Sequence, residues 1–82
     1  MNPTHSITIL GIDPGTQQMG YAIIRIAGSS VKVEKLDTLK LTKEKDIYKR
    51  LEIIHATIIS LIAAYHPTDF AIEAPFFGKN VQ

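Results

Sequence analysis

The 82-residue sequence has no cysteine and no tryptophan. Without cysteine there can be no disulfide and no thiolate metal site. It also lacks a dominant charge: nine Lys and Arg stand against eight Asp and Glu, a formal net charge of +1. No long-range field follows from that balance, so any nucleic-acid contact has to come from local placement. No apolar run approaches the roughly 18 residues needed to cross a bilayer. Met1 to Ser6 does not show the basic-then-apolar layout of a signal peptide. These absences predict a soluble, cytoplasmic protein with no membrane partner. Internal repeats, low-complexity tracts and interdomain linkers are also missing. What is present, 45% hydrophobic and 21% charged residues, is ordinary for one small globular unit. A chain of this size buries only about 60–65% of its unfolded surface, so its stability margin is narrow.

The chain is organised around Ile9-Leu10-Gly11-Ile12-Asp13-Pro14-Gly15-Thr16. An apolar run (Ile7, Ile9, Leu10, Ile12) too short for a helix suits a buried strand. It ends on an acid, and Pro-Gly turns the chain. Pro14 presets a turn dihedral and Gly15 can supply the positive φ that Pro-Gly turns often need. Asp13 then stands at the C-terminal tip of a strand, where alpha/beta sheets present residues to ligands. Asp-Pro-Gly is also common turn chemistry, and this stretch alone does not separate a ligand from a turn former.

The remaining elements follow in order. The first strand is predicted over Ser6 to Asp13. Gln17-Gln18-Met19 form a connector to a second strand, Gly20 to Ala27. The connection is short and rich in turn formers, which predicts an antiparallel pair. Gly28-Ser29-Ser30 makes the next turn. The third strand runs from Val31 to Leu41, and its alternation slips between Val33 and Leu36, the signature of a bulge. Thr42 is the predicted helix N-cap, with Glu44 and Asp46 in the first turn. Ile47, Leu51, Ile54, Ile58, Leu61, Ile62 and Tyr65 recur at steps of three and four, a single helical stripe. Lys43, Lys45, Lys49 and Arg50 interleave with Glu44, Asp46 and Glu52, which reads as a solvated face. Pro67 ends the helix and biases His66 away from helical geometry. Phe70 to Ala74 is a fourth short strand, again finishing at an acid, Glu73.

Three strands joined by tight turns leave the first and third parallel. A helical crossover then returns the chain in the same direction for the fourth strand. The free position is beside the first strand, so the predicted sheet order is 3-2-1-4. Parallel neighbours finish at the same edge about 4.8 Å apart, which brings Asp13 and Glu73 together from distant parts of the chain. Two carboxylates there can ligate a hard divalent cation, with substrate phosphate completing the shell. Paired ions of this kind polarise a phosphodiester and activate water, a mechanism that normally uses three or four carboxylates.

With these residues in view, a resemblance becomes specific. The first motif, then Gly20-Tyr21-Ala22-Ile23-Ile24, then Ala71-Ile72-Glu73-Ala74-Pro75-Phe76-Phe77-Gly78-Lys79-Asn80, resemble the first half of the RuvC family of bacterial Holliday junction resolvases. The likeness spans nearly the whole chain, and its second motif is the more distinctive. It implies an α/β, ribonuclease-H-like mixed sheet, with residues 1–82 as the N-terminal part of a single nuclease domain, incomplete at the C-terminus. It implies an endonuclease that resolves four-way DNA junctions in recombination and repair, using Mg2+ or Mn2+. Asp13 and Glu73 would be the first two catalytic and metal-binding acids. Phe76 matches an aromatic that pushes against bases near the junction centre, and DNA contact is implied for Gly15, Thr16, Phe77, Lys79 and Asn80. The partners implied are the junction, a second copy of the chain, and the RuvA and RuvB branch-migration proteins.

Two departures stand against that pattern. The family's remaining catalytic acids and most of its dimer interface fall beyond residue 82, so this chain alone is expected to be inactive. The connector Thr16-Gln17-Gln18-Met19 is uncharged where relatives often carry a basic residue. Two other families resemble the first motif. Actin-like ATPases and sugar kinases use such a hairpin to cradle phosphate, but nothing there accounts for Phe76-Phe77-Gly78-Lys79-Asn80. YqgF-type nucleases of ribosomal RNA maturation are similar at Asp13 and less so near Glu73.

Overall fold

The computed structural model describes residues 6–15 and 17–73. Strand β1 is Ser6–Asp13, with the predicted bounds. Its side chains alternate as a pleated strand requires: Thr8, Leu10 and Ile12 are buried, whereas Asp13 is exposed. Strand β2, Gln18–Ala27, pairs with it antiparallel, Leu10 opposite Ile23, Ile12 opposite Tyr21 and Asp13 opposite Gly20. Two residues assigned to the connector, Gln18 and Met19, belong to β2. They lie past the end of β1 but pair with Lys40 and Leu39 on the other side. Burial of Met19 completes the core there.

Gly28 and Ser29 make a two-residue hairpin, Gly28 at φ 61°, the first central position where hairpin turns favour glycine. Strand β3, Ser30–Lys40, then pairs antiparallel with β2. Ile23 faces Lys35 while Ile24 faces Val33, so Glu34 is the extra residue of the expected bulge. Its carboxylate lies 3.8 Å from the Arg25 guanidinium across the strands.

Helix α1, Ile47–Tyr65, starts later than Thr42 would place it. Asp46 is the N-cap, its Oδ1 accepting the Tyr48 N–H at 2.9 Å. Thr42 is used instead in a turn closed by the Glu44 N–H on the Leu41 carbonyl at 3.1 Å. Glu44 and Asp46 therefore precede the helix, and its first turn holds no acid. At the other end His66 leaves the helix before Pro67, but in the left-handed region (φ 50°, ψ 58°) rather than extended. Its N–H closes on the Ile62 carbonyl at 2.9 Å, a bond that the left-handed cap makes possible.

Strand β4 is Asp69–Ile72, one residue earlier and shorter than predicted. It lies parallel to β1 and completes the order β3-β2-β1-β4. Helix α1 covers one sheet face. Leu61 joins Leu10, Ile12, Met19 and Ile23, with Ile54, Ile58, Ile62 and Tyr65 packed against them. The N-terminal end of the stripe does not dock: Ile47 and Leu51 are 60% and 56% exposed. On the opposite face Val31, Val33 and Leu36 are exposed.

Candidate active site

The site is set by the pairing of β1 with β4. Their register is constant: Ile9 faces Asp69, Leu10 faces Phe70, Gly11 faces Ala71 and Ile12 faces Ile72. Each end of this ladder is clamped. At the start, the Thr68 N–H donates to the Thr8 carbonyl at 2.8 Å, and the Thr8 N–H donates to Thr68 Oγ1 at 3.1 Å. At the finish, the Glu73 N–H donates to the Ile12 carbonyl at 3.1 Å.

Carried one step further, that register sets Glu73 opposite Asp13. Paired residues of adjacent strands point to the same face, so both acids follow Gly11 and Ala71 onto the face that α1 does not cover. Both are exposed. Their backbones are one strand spacing apart, about 4.8 Å. The two acids border a shallow, open concavity of about 730 Å³, lined on their own face by Gly11, Gly20, Ala22, Leu36 and Ala71.

Two glycines lie at this corner. Gly15 does not take positive φ, since Gly28 is the positive-φ glycine among the described residues. It is required for space instead: a Cβ at Gly15 would collide with the Gln18 carbonyl oxygen. Gly20 lies across the hairpin from Asp13, where a Cβ would make ordinary contact with the Asp13 Cβ at 3.7 Å. The sequence marks Gly20 only as the start of a strand. Its pairing with Asp13, and the place of Ala22 and Leu36 on the same face, became visible only with the register. Thr16, Phe76, Phe77, Lys79 and Asn80 lie outside the described residues.

Asp13 and Glu73 supply hard oxygen donors, the chemistry that suits a divalent cation. Among the described residues, no group of three or more His, Asp or Glu converges as a metal cage. The pair can thus furnish part of a coordination shell, leaving positions for water and phosphate oxygens.

The family model described as "Crossover junction endodeoxyribonuclease RuvC" matches residues 9–82. The chain belongs to the RuvC family. A RuvC relative from Christiangramia forsetii is 50% identical over 74 residues, covering 90% of this chain and 38% of its own length. One from Bacteroides fragilis is 44% identical over 82 residues, covering 100% of this chain and 44% of its own. Both carry the name crossover junction endodeoxyribonuclease. The chain spans less than half the length of these curated RuvC relatives.

The solved structure of Thermus thermophilus RuvC superposes with a TM-score of 0.79 at 22% identity, over 93% of this chain and 48% of that one. T. thermophilus RuvC in complex with a Holliday junction substrate gives 0.76 at 22% identity, over 90% and 48%. These likenesses show the fold, which is the ribonuclease-H-like arrangement expected from the sequence. RuvC membership lends nothing to the kinase-type or YqgF-type alternatives. No described helix is long and apolar enough to cross a membrane.

Proposed function

We propose that this chain contributes the first two catalytic acids of a structure-selective endonuclease that resolves four-way DNA junctions in recombination and repair. The observation that supports this reading is the register placing Asp13 beside Glu73 at one sheet edge, in a chain of the RuvC family.

The chemistry follows from what the residues are. Two exposed carboxylates on rigid strand ends present oxygens toward an open concavity large enough for a sugar-phosphate segment. Asp13 and Glu73 would hold Mg2+ or Mn2+, which when bound supplies a Lewis acid for the phosphodiester and lowers the pKa of a coordinated water. Gly15 lets the loop after Asp13 pack tightly against the Gln18 carbonyl. Backbone pairing on both sides of β1 holds Asp13 in place, so little ordering is left for the moment of reaction.

The whole protein would act as a homodimer, placing one such site on each of two strands, with RuvA and RuvB as partners in branch migration. Gly15, Thr16, Phe76, Phe77, Lys79 and Asn80 would contact the DNA.

The test uses the protein that carries this sequence and a synthetic four-way junction. Asp13→Asn and Glu73→Gln are each expected to lower metal-dependent cleavage by more than about 100-fold, or about 2.7 kcal/mol of transition-state stabilisation, while junction binding persists. Cleavage that survives both substitutions would overturn the reading. The 82-residue chain alone is expected not to cut, since two acids do not complete a paired-ion shell.

A further inference from the structure

The positive charge of this chain is concentrated in one place. Between Lys40 and Arg50 there are five cations against two carboxylates, although the whole chain carries only +1. In sequence this stretch reads as a solvated helix face. In the structure most of it precedes the helix and sits at the edge that bears the two acids.

Strand β3 runs parallel to β1 through their shared partner β2. Lys40 and the loop after it therefore leave the sheet at the same edge as Asp13. A backbone bond joins the two loops: the Leu41 N–H donates to the Gln17 carbonyl at 2.9 Å, and Gln17 belongs to the turn that follows Asp13-Pro14-Gly15.

The two carboxylates of the segment serve its own backbone. Glu44 Oε2 accepts the Asp46 N–H at 3.1 Å, and Asp46 Oδ1 caps the helix. The Arg50 guanidinium is held on the Glu44 carbonyl. Lys40, Lys43, Lys45 and Lys49 are exposed, and none of them pairs with a carboxylate among the described residues. Tyr48, 76% exposed, stands among them, and an aromatic between cations is a pattern suited to nucleic acid.

We propose that Lys40, Lys43, Lys45 and Lys49, with Tyr48, form a shelf that binds the sugar-phosphate backbone of the DNA strand presented to Asp13 and Glu73. The proposal rests on the nuclease reading above. Two strand spacings separate Lys40 from β1, about 10 Å. With about 3.4 Å of rise per phosphate on one strand, the shelf engages phosphates about three nucleotides from the bond at the acids. It also answers an electrostatic need. Two carboxylates repel an incoming phosphate, and a cation at Lys40, about one screening length away, offsets that repulsion most strongly at low salt.

The experiment measures binding of a fluorescent four-way junction between about 50 and 200 mM salt by the protein that carries this sequence. Each lost duplex phosphate contact lowers the salt slope by about 0.9. Lys43→Gln with Lys45→Gln is therefore expected to lower the slope by about 2, and the paired Lys43→Arg and Lys45→Arg protein to retain it. Lys32→Gln, at the far end of β3, should leave the slope unchanged. An unchanged slope in the paired Gln protein, or an equal drop for Lys32→Gln, overturns the shelf even while Asp13→Asn still abolishes cleavage. A protein that fails to bind the junction, or still cuts after Asp13→Asn, defeats the nuclease reading and the shelf with it.

Discussion

Thr8 and Thr68 exchange main-chain and side-chain hydrogen bonds, with the Thr68 hydroxyl donating back to the Thr8 carbonyl at 3.3 Å and receiving the Thr8 N–H at 3.1 Å. The same 60-residue offset that separates these two threonines separates Asp13 from Glu73. The clamp at the start of the parallel ladder therefore sets which residues meet at its end. A slip of one residue would turn Glu73 onto the other face of the sheet.

Thr68→Val tests that clamp. Thr8 is buried, and the substitution removes the hydroxyl that receives its N–H. An unpaired buried donor costs about 1–3 kcal/mol. The expected result is a lower melting temperature with the main-chain bond from residue 68 to Thr8 retained. Unchanged stability in thermal melts would show that the side-chain bond is dispensable.

The helix should be stabilised from its C-terminal half. Leu61 is 7% exposed within the core and Leu51 is 56% exposed. Leu61→Ala is expected to cost about 2–5 kcal/mol, enough to unfold a small domain, whereas Leu51→Ala should stay within about 0.5 kcal/mol. Urea denaturation of the two variants separates them, and equal losses would refute docking of α1 through its C-terminal half.

Gly15→Ala should damage the site without touching either acid. The new methyl meets the Gln18 carbonyl oxygen, so the loop after Asp13 has to move. Displacements near 1 Å at a reacting group can cost about 100-fold in rate. Cleavage of a four-way junction is expected to fall by that order while the far-ultraviolet circular dichroism spectrum keeps its shape. Full activity would mean that the loop relaxes without moving Asp13.

His66 offers a stabilising change. A residue with a side chain in left-handed geometry carries a penalty of about 1–2 kcal/mol, part of which glycine recovers against its greater freedom when unfolded. His66→Gly is expected to raise stability by about 0.5–1 kcal/mol, read as a higher melting temperature. A lower melting temperature would show that the imidazole makes a compensating interaction.

The bounds of β1 and the 3-2-1-4 order were legible in the sequence because period-two alternation, tight turns and one helical crossover leave few topologies. The bulge at Glu34 could be anticipated from the slipped alternation. The helix start could not. Thr42 and Asp46 are both good caps, and only the turn that engages Thr42 leaves the role to Asp46. The extent of docking was equally hidden, since the apolar stripe is continuous from Ile47 to Tyr65 but the core ends before Leu51.

At the candidate site, the sequence by itself determined that two acids end two strands, and that a Pro-Gly turn follows the first. Burial patterns and chain reversals are local properties, written in neighbouring residues. That the two acids meet at one edge followed from the strand order, but the residue-by-residue register, the tight fit at Gly15 and the place of the Lys40–Lys49 segment at the same edge were decided only by tertiary structure. Each depends on register between segments distant in the chain, fixed by hydrogen bonds such as Glu73 to Ile12 and Leu41 to Gln17. Pairing energies of that kind exist only once the strands are brought together, so no local pattern encodes them.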